Sequence, residues 1–135
     1  MITREADYAI RTVLYLAKRF RKGPISTTEI GEEMTIPYRF LRRITRKLVE
    51  KGVLEAQRGK LGGVSLVIEP RKISLFDVME IFDQRGITIN VCCSPKHGCR
   101  REALCPVHPH FESVQQDFHR SLKKVNFARL AKESF

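Results

Sequence analysis

Between residues 3 and 20 the apolar positions Ala6, Ala9, Ile10, Val13, Leu14 and Ala17 recur at three- and four-residue intervals, the spacing of one helix face. Thr3 stands where the N-cap of that helix belongs. The polar break RKGPIS stops it, and Ser26 or Thr27 can cap a second, short helix, TTEIGEEM, with Ile30 and Met34 turned inward. Three residues, TIP, lead into YRFLRRITRKLVEKG, where Phe40, Leu41, Ile44 and Leu48 keep helical spacing and Gly52 supplies the residue past the C-cap. Two helices joined by so short a link, the second crowded with bases, predict a helix-turn-helix.

Beyond Gly52 the period changes. VLEAQ and VSLVI read as two strands around RGKLGG, whose three glycines allow the backbone angles of a hairpin turn. A hairpin in this place is a wing, and Pro70 ends it. SLFDVMEIFDQ returns to a helical pattern, with Ser74 and Asp77 at capping-box spacing. From Pro109 onward Phe111, Val114, Phe118, Leu122 and Val125 form a narrow apolar stripe on a long, otherwise polar helix, which predicts packing against a second copy of the chain. Asn126 then caps a terminal helix, FARLAKE. The fold class expected is mainly α with a small β-hairpin wing. A winged helix-turn-helix fills residues 1–70; a cysteine loop (92–108) and a dimerisation helix fill 71–135 of the same compact domain.

Composition sharpens this picture at two places. The chain has 135 residues, enough for one domain to bury a core without disulfide staples. Its formal charge is +10, and the excess is local: residues 36–60 hold Arg39, Arg42, Arg43, Arg46, Lys47, Lys51, Arg58 and Lys60 against Glu50 and Glu55. Positive charge so concentrated selects a polyanion, and a helix-turn-helix selects double-stranded DNA over a membrane surface. No run approaches the ~20 apolar residues of a membrane span. The opening helix is interrupted by Asp7, Arg11, Lys18 and Arg19, unlike a secretory signal, so a cytoplasmic protein without a membrane partner is expected.

The second place is CCSPKHGCRREALCPVH, residues 92–108, which holds all four cysteines and two of the four histidines. These thiols could pair, hold a metal or simply pack; in a reducing compartment clustered cysteines point to metal or redox chemistry. Enzyme chemistry has little to work with. No second cysteine stands at C-x-x-C spacing, no carboxylate pair flanks a histidine, and no glycine-rich phosphate loop opens a helix. No small-molecule substrate is expected.

The opening ADYAIRTVLYLA, the helix-turn-helix, the wing RGKLGGVSL and the spacing Cys93-x5-Cys99-x5-Cys105-x2-His108 together resemble the Rrf-two family of winged-helix repressors, almost end to end. The cysteine spacing resembles its cluster-binding branch. The resemblance implies a homodimeric DNA-binding transcription regulator, a repressor, carrying one iron-sulfur cluster per subunit, [2Fe-2S] or [4Fe-4S], on Cys93, Cys99 and Cys105. Such clusters are held chiefly by cysteine thiolate, with histidine as a substitute. Spacers of five residues span a wider object than the two-to-four-residue spacers of structural zinc, although a zinc-bound or thiol-redox regulator without a cluster stays open as the alternative. Lys96, Arg100 and Arg101 are expected to lower the thiol pKa values. Cys92 falls outside the family spacing and reads as a spare thiol, and His97 is given no role.

For the fourth ligand the family offers two solutions, and both residues are present: a histidine just past the last cysteine, here His108, or an aspartate on the partner subunit's first helix, here at Asp7. Their ordinary explanations are a surface loop histidine and a carboxylate stabilising a helix N-terminus. On the DNA side, Pro37, Tyr38, Arg39, Arg42 and Arg43 fall on the first turns of the recognition helix, where arginine can read guanine in the major groove. Arg46 and Lys47 belong nearer phosphate. The resemblance implies an acidic residue where Arg42 stands, so an altered operator is expected, and a minor-groove role for Arg58 beside Lys60, Gly62 and Gly63. Ser26, Thr27 and Thr28 can meet phosphate at the start of the second helix. A homodimer matches a palindromic operator.

Overall fold

The computed structural model describes residues 2–96 and 98–133. In chain order it contains α1 (Arg4–Lys18), α2 (Thr27–Met34), α3 (Tyr38–Glu50), β1 (Leu54–Gln57), β2 (Gly63–Leu66), α4 (Leu75–Phe82), α5 (His108–Lys123) and α6 (Phe127–Ala131). Single 3-10 turns lie at Pro70–Lys72, Val91–Cys93 and Glu102–Leu104.

The opening helix is also the centre of the molecule. Thr3 caps α1 by accepting from the Ala6 N–H at 3.1 Å, and Ala6, Ala9, Val13, Leu16 and Ala17 are buried. The alanines let neighbours approach, and α1 touches α2, α3, α4, α6 and β2. Thr12 is buried there too and settles its hydroxyl on the Tyr8 carbonyl at 2.8 Å.

The turn from α2 to α3 occupies Thr35, Ile36 and Pro37. Thr35 takes the left-handed conformation (φ +55°), and the Ile36 N–H donates to the Gly31 carbonyl at 2.9 Å. Gly31 permits this closeness, since a Cβ there would stand 3.1 Å from the Ile36 oxygen and 3.5 Å from Leu41. α3 buries Leu41, Ile44, Thr45 and Leu48 and leaves its basic face to solvent.

β1 and β2 pair antiparallel, from Leu54 opposite Leu66 to Gln57 opposite Gly63. Strand pairing ends at Leu66, earlier than the alternation suggests: the Val67 N–H still donates to the Val53 carbonyl at 3.0 Å, but the Val53 N–H donates to the Leu48 carbonyl of α3 at 2.9 Å, so the reciprocal bond is not made. Ile25 and Val64 exchange backbone hydrogen bonds at 2.9 and 2.8 Å, which fastens the wing to the segment before α2.

α4 starts at the expected capping box: the Ser74 hydroxyl accepts from the Asp77 N–H and the Asp77 carboxylate accepts from the Ser74 N–H at 2.8 Å. The chain end returns beside it. Leu75 N–H donates to Val125 and Phe127 N–H to Ile73, at 2.9 and 3.1 Å, and Phe127 is fully buried. Residues from both the first 70 positions and the remainder thus share one buried cluster. α5 divides its apolar stripe between two uses. Phe118 and Leu122 pack against that cluster, whereas Phe111 and Val114 are exposed, so only the first half of the helix keeps an open apolar face. No helix among the described residues is long and apolar enough to cross a membrane.

Candidate cysteine-histidine centre and nucleic-acid interface

The cysteine stretch is built from short turns. Asn90 opens the first by accepting from the Val91 N–H through Oδ1 at 2.8 Å, while Cys93 N–H donates to the Asn90 carbonyl at 3.0 Å. Both thiols belong to this 3-10 turn, and the Sγ atoms of Cys92 and Cys93 lie 3.8 Å apart. His108, the first residue of α5, joins them: a ligand atom from each of the three residues lies within 4.8 Å of the others. The His108 side chain is 14% exposed, with Nε2 3.4 Å from Glu102 Oε1. Its Nδ1 is buried and has no hydrogen-bond partner among the described residues. A second run of turns leads up to it, with Glu102 N–H donating to Cys99, Cys105 N–H to Glu102 and His108 N–H to Cys105, at 3.1, 3.4 and 3.3 Å. All four cysteines are free thiols and half-buried.

α5 holds this loop in place. The Gln115 amide donates to the Cys93 carbonyl at 2.9 Å and accepts from the Ile89 N–H at 3.1 Å. One turn later His119 bonds the Ile87 carbonyl through Nε2 and packs edge-on against Phe76 of α4, ring centres 4.9 Å apart. Burial, then the hydrogen bond with Cys92, then the Cys92, Glu112 and Glu102 charges raise the Cys93 pKa. The expected lowering by basic neighbours is therefore reversed at Cys93. Lys96 points elsewhere, donating to the Gln84 carbonyl at 3.0 Å.

Of the residues the sequence singled out for a metal, Cys93 and His108 meet. Cys99 and Cys105 stand outside that group, linked to His108 through successive turns. Cys92, set aside by its spacing, is inside it. Asp7 sits on α1, where it pairs with Arg11 at 2.7 Å, and Arg11 also donates to the Met34 carbonyl at the end of α2 at 3.3 Å. Gln115 and His119 were missed, because a polar side chain on a polar helix gives no signal in the chain. His97 lies outside the described residues. Two thiols and an imidazole with an unclaimed lone pair make a soft donor set that suits iron-sulfur or zinc.

The basic residues occupy two neighbouring features of the sequence, α3 and the wing tip. Pro37 is the N-cap of α3, and Tyr38, Arg39, Arg42 and Arg43 are exposed on its first two turns. The Arg39 and Arg43 guanidinium groups lie over the Phe40 ring at 4.9 and 5.6 Å, and Arg43 also pairs with Glu5 of α1. Arg42 has no ion-pair partner among the described residues. Arg46 pairs along the helix with Glu50 at 3.1 Å, and the Lys47 ammonium lies over Phe82 at 4.9 Å. Arg58 and Lys60 project from the wing. Gly62 and Gly63 answer to the fold itself: a Cβ would come within 2.2 Å of the Gln57 oxygen at one and of the Ile25 oxygen at the other. At the start of α2 the Ser26 hydroxyl accepts from the Glu29 N–H at 3.2 Å, with Thr28 exposed beside the half-buried Thr27.

The Rrf2 family model, described as an iron-dependent transcriptional regulator, matches residues 2–133. The HTH-type transcriptional repressor NsrR of Streptomyces coelicolor is 25% identical over 130 residues, covering 96% of this chain and 86% of the relative. Two solved structures share the fold. IscR of T. potens superposes with a TM-score of 0.79 at 20% identity, over 98% of this chain and 86% of that one. CymR, the global cysteine regulator of B. subtilis, gives 0.77 at 20% identity, over 100% and 98%. With its helix-turn-helix, its wing and a family match from end to end, the chain belongs to the Rrf2 family and is a winged-helix transcriptional regulator, not an enzyme.

Proposed function

We propose that the chain is a cytoplasmic, homodimeric repressor whose hold on a palindromic DNA operator is set by one iron-sulfur cluster per subunit. Cys93, Cys99 and Cys105 would hold the cluster, with His108 or Asp7 of the partner subunit as fourth donor. The observation that carries this reading is the buried His108 Nδ1 left without a partner beside reduced thiols, in a chain whose family model is described as iron-dependent. When bound, the cluster supplies a redox-active centre, [2Fe-2S] or [4Fe-4S], open to attack by oxidants or nitric oxide at its weakest bond.

The chain's own contacts supply the coupling. Gln115 and His119 tie the cysteine loop to α5, and His119 leans on α4, which packs along α1. From α1, Glu5 holds Arg43 of the recognition helix, and Arg11, shared between Asp7 and the Met34 carbonyl, holds the end of α2. Drawing Asp7 away would strip Arg11 of its carboxylate and loosen its grip at the helix-turn-helix. DNA affinity then changes only as far as loop occupancy favours one arrangement of these contacts. On the DNA side Arg42 and Arg39 read bases, while Arg46, Lys47, Arg58 and Lys60 meet phosphate or the minor groove.

A second reading, a zinc-bound or thiol-redox regulator without a cluster, draws support from the 3.8 Å separation of the Cys92 and Cys93 sulfurs. Purification without oxygen separates the two. Brown protein with iron and acid-labile sulfide in similar amounts, both lost in Cys99→Ser and Cys105→Ser, is the result expected. Colourless protein holding one zinc per subunit overturns the cluster in favour of the second reading.

A further inference from the structure

We infer that cluster-free protein carries a single-ion site for a soft divalent cation, of which zinc is the type, on Cys92, Cys93 and His108. The ligand set differs from the cluster set by Cys92 and by the omission of Cys99 and Cys105.

Three features place it. Two sulfurs, each about 2.3 Å from zinc at the tetrahedral angle, lie about 3.8 Å apart. The Cys92 and Cys93 sulfurs are separated by 3.8 Å, and the 3-10 turn that carries them is capped by Asn90 on one side and anchored by Gln115 on the other. Second, His108 offers a ligand atom within 4.8 Å of both sulfurs. Third, the two ring nitrogens have different surroundings. Nε2 faces the Glu102 carboxylate at 3.4 Å, while Nδ1 is buried with no partner among the described residues. A carboxylate on one nitrogen orients an imidazole and strengthens the other as a metal ligand. A buried nitrogen left unsatisfied is destabilising, and a metal bond would relieve it. Two thiolates and one imidazole leave a fourth position for water or a small thiol. Binding is a simple exchange: the two thiols release their protons as their sulfurs bond zinc, and no electron moves.

The site shares Cys93 with the proposed cluster set, and His108 too where that is the fourth donor, so the two occupancies exclude each other. This competition rests on the cluster reading; the ligand assignment does not.

The test uses full-length protein stripped of iron under a non-thiol reductant and titrated with zinc against a chromophoric chelator. One zinc per subunit is expected. Cys92→Ser should weaken binding more than about 100-fold, beyond the 10–100-fold that loss of an orienting partner brings, and Glu102→Gln should fall within that smaller range. Cys99→Ser and Cys105→Ser should bind as the parent does. Cobalt in place of zinc should give a tetrahedral spectrum with sulfur-to-metal charge transfer that drops by about half in Cys92→Ala, a readout available even where affinity is hard to compare. Parent-like binding by Cys92→Ser, loss of binding in Cys99→Ser or Cys105→Ser, or no binding by the parent overturns the assignment. Zinc preloading should also slow incorporation of iron and sulfide in the parent but not in Cys92→Ser. If the parent takes up no iron and sulfide at all, the cluster reading fails while the zinc titration still decides this site.

Discussion

His108 and Asp7 compete for one role, and their surroundings separate them. His108 stands beside Cys93 with a nitrogen to spare, whereas Asp7 is engaged by Arg11 and would have to serve across a subunit boundary. A carboxylate is a harder, weaker donor to iron than imidazole. One of the two substitutions, His108→Ala or Asp7→Ala, should change the visible spectrum and the lifetime in air while leaving the cluster-free fold intact; parent spectra for both remove both from the ligand set. Tyr15 offers a prediction independent of metal. Burial, then its hydrogen bond to Glu29 at 2.7 Å, push its phenol from the usual 10.0 up to about 12. A raised folded pKa favours the protonated form, so this contribution is complete below pH ~10 and lost as pH climbs through about 12. Alkaline denaturation should be steeper in the parent than in Tyr15→Phe across that window, and the phenolate missing from the variant should be the late one. At this scale the meeting of Cys93 and His108 was legible, since residues able to bind metal declare themselves by type. Cys92 was not, because the meeting of adjacent thiols depends on a 3-10 turn that no spacing rule encodes.

Among the elements, α3 carries the sharpest division of labour. Arg42 is exposed and without an ion-pair partner among the described residues, while Arg46 is already paired with Glu50. Arg42→Ala should cost about 1–3 kcal/mol on the cognate operator and relax preference at one or two base pairs. Arg46→Ala should weaken all sequences alike, with log affinity falling against log salt at about −0.9 per phosphate contact in the parent and less steeply in the variant. Competition binding against random duplexes checks both, and equal losses for Arg42→Ala on cognate and random DNA would remove it from base readout. The helices and the hairpin were legible because caps, glycines and apolar periods are local. The division of α5 was not: whether Phe118 and Leu122 face a partner or their own core depends on Phe127 returning the chain end beside α4. Gly63 of the wing likewise answers to a neighbour distant in sequence, Ile25, which only the folded chain brings near.

For the molecule as a whole, Phe111 and Val114 are exposed on α5, the helix that begins at His108 and holds Cys93 through Gln115, so the apolar surface proposed for dimerisation shares its helix with the candidate centre. Val114→Glu should shift the protein from dimer to monomer in sedimentation, and weaken operator binding with it, because two half-sites then lose their linkage. An unchanged sedimentation coefficient would place the dimer contact elsewhere. Overall architecture was readable from the chain because one buried cluster organises it around α1. The contacts proposed to couple the loop to α3 were not, since Glu5 with Arg43 and Gln115 with Cys93 join residues far apart in sequence. The central claim is that occupancy of the cysteine loop sets DNA affinity, and it is tested most directly by measuring operator affinity of the same anaerobic preparation before and after iron is removed. Coupling energies of this kind run to about 1–3 kcal/mol, so a change of roughly 5- to 150-fold is predicted, absent from Cys99→Ser. Equal affinities with and without iron, in protein shown to contain iron and sulfide, would contradict it.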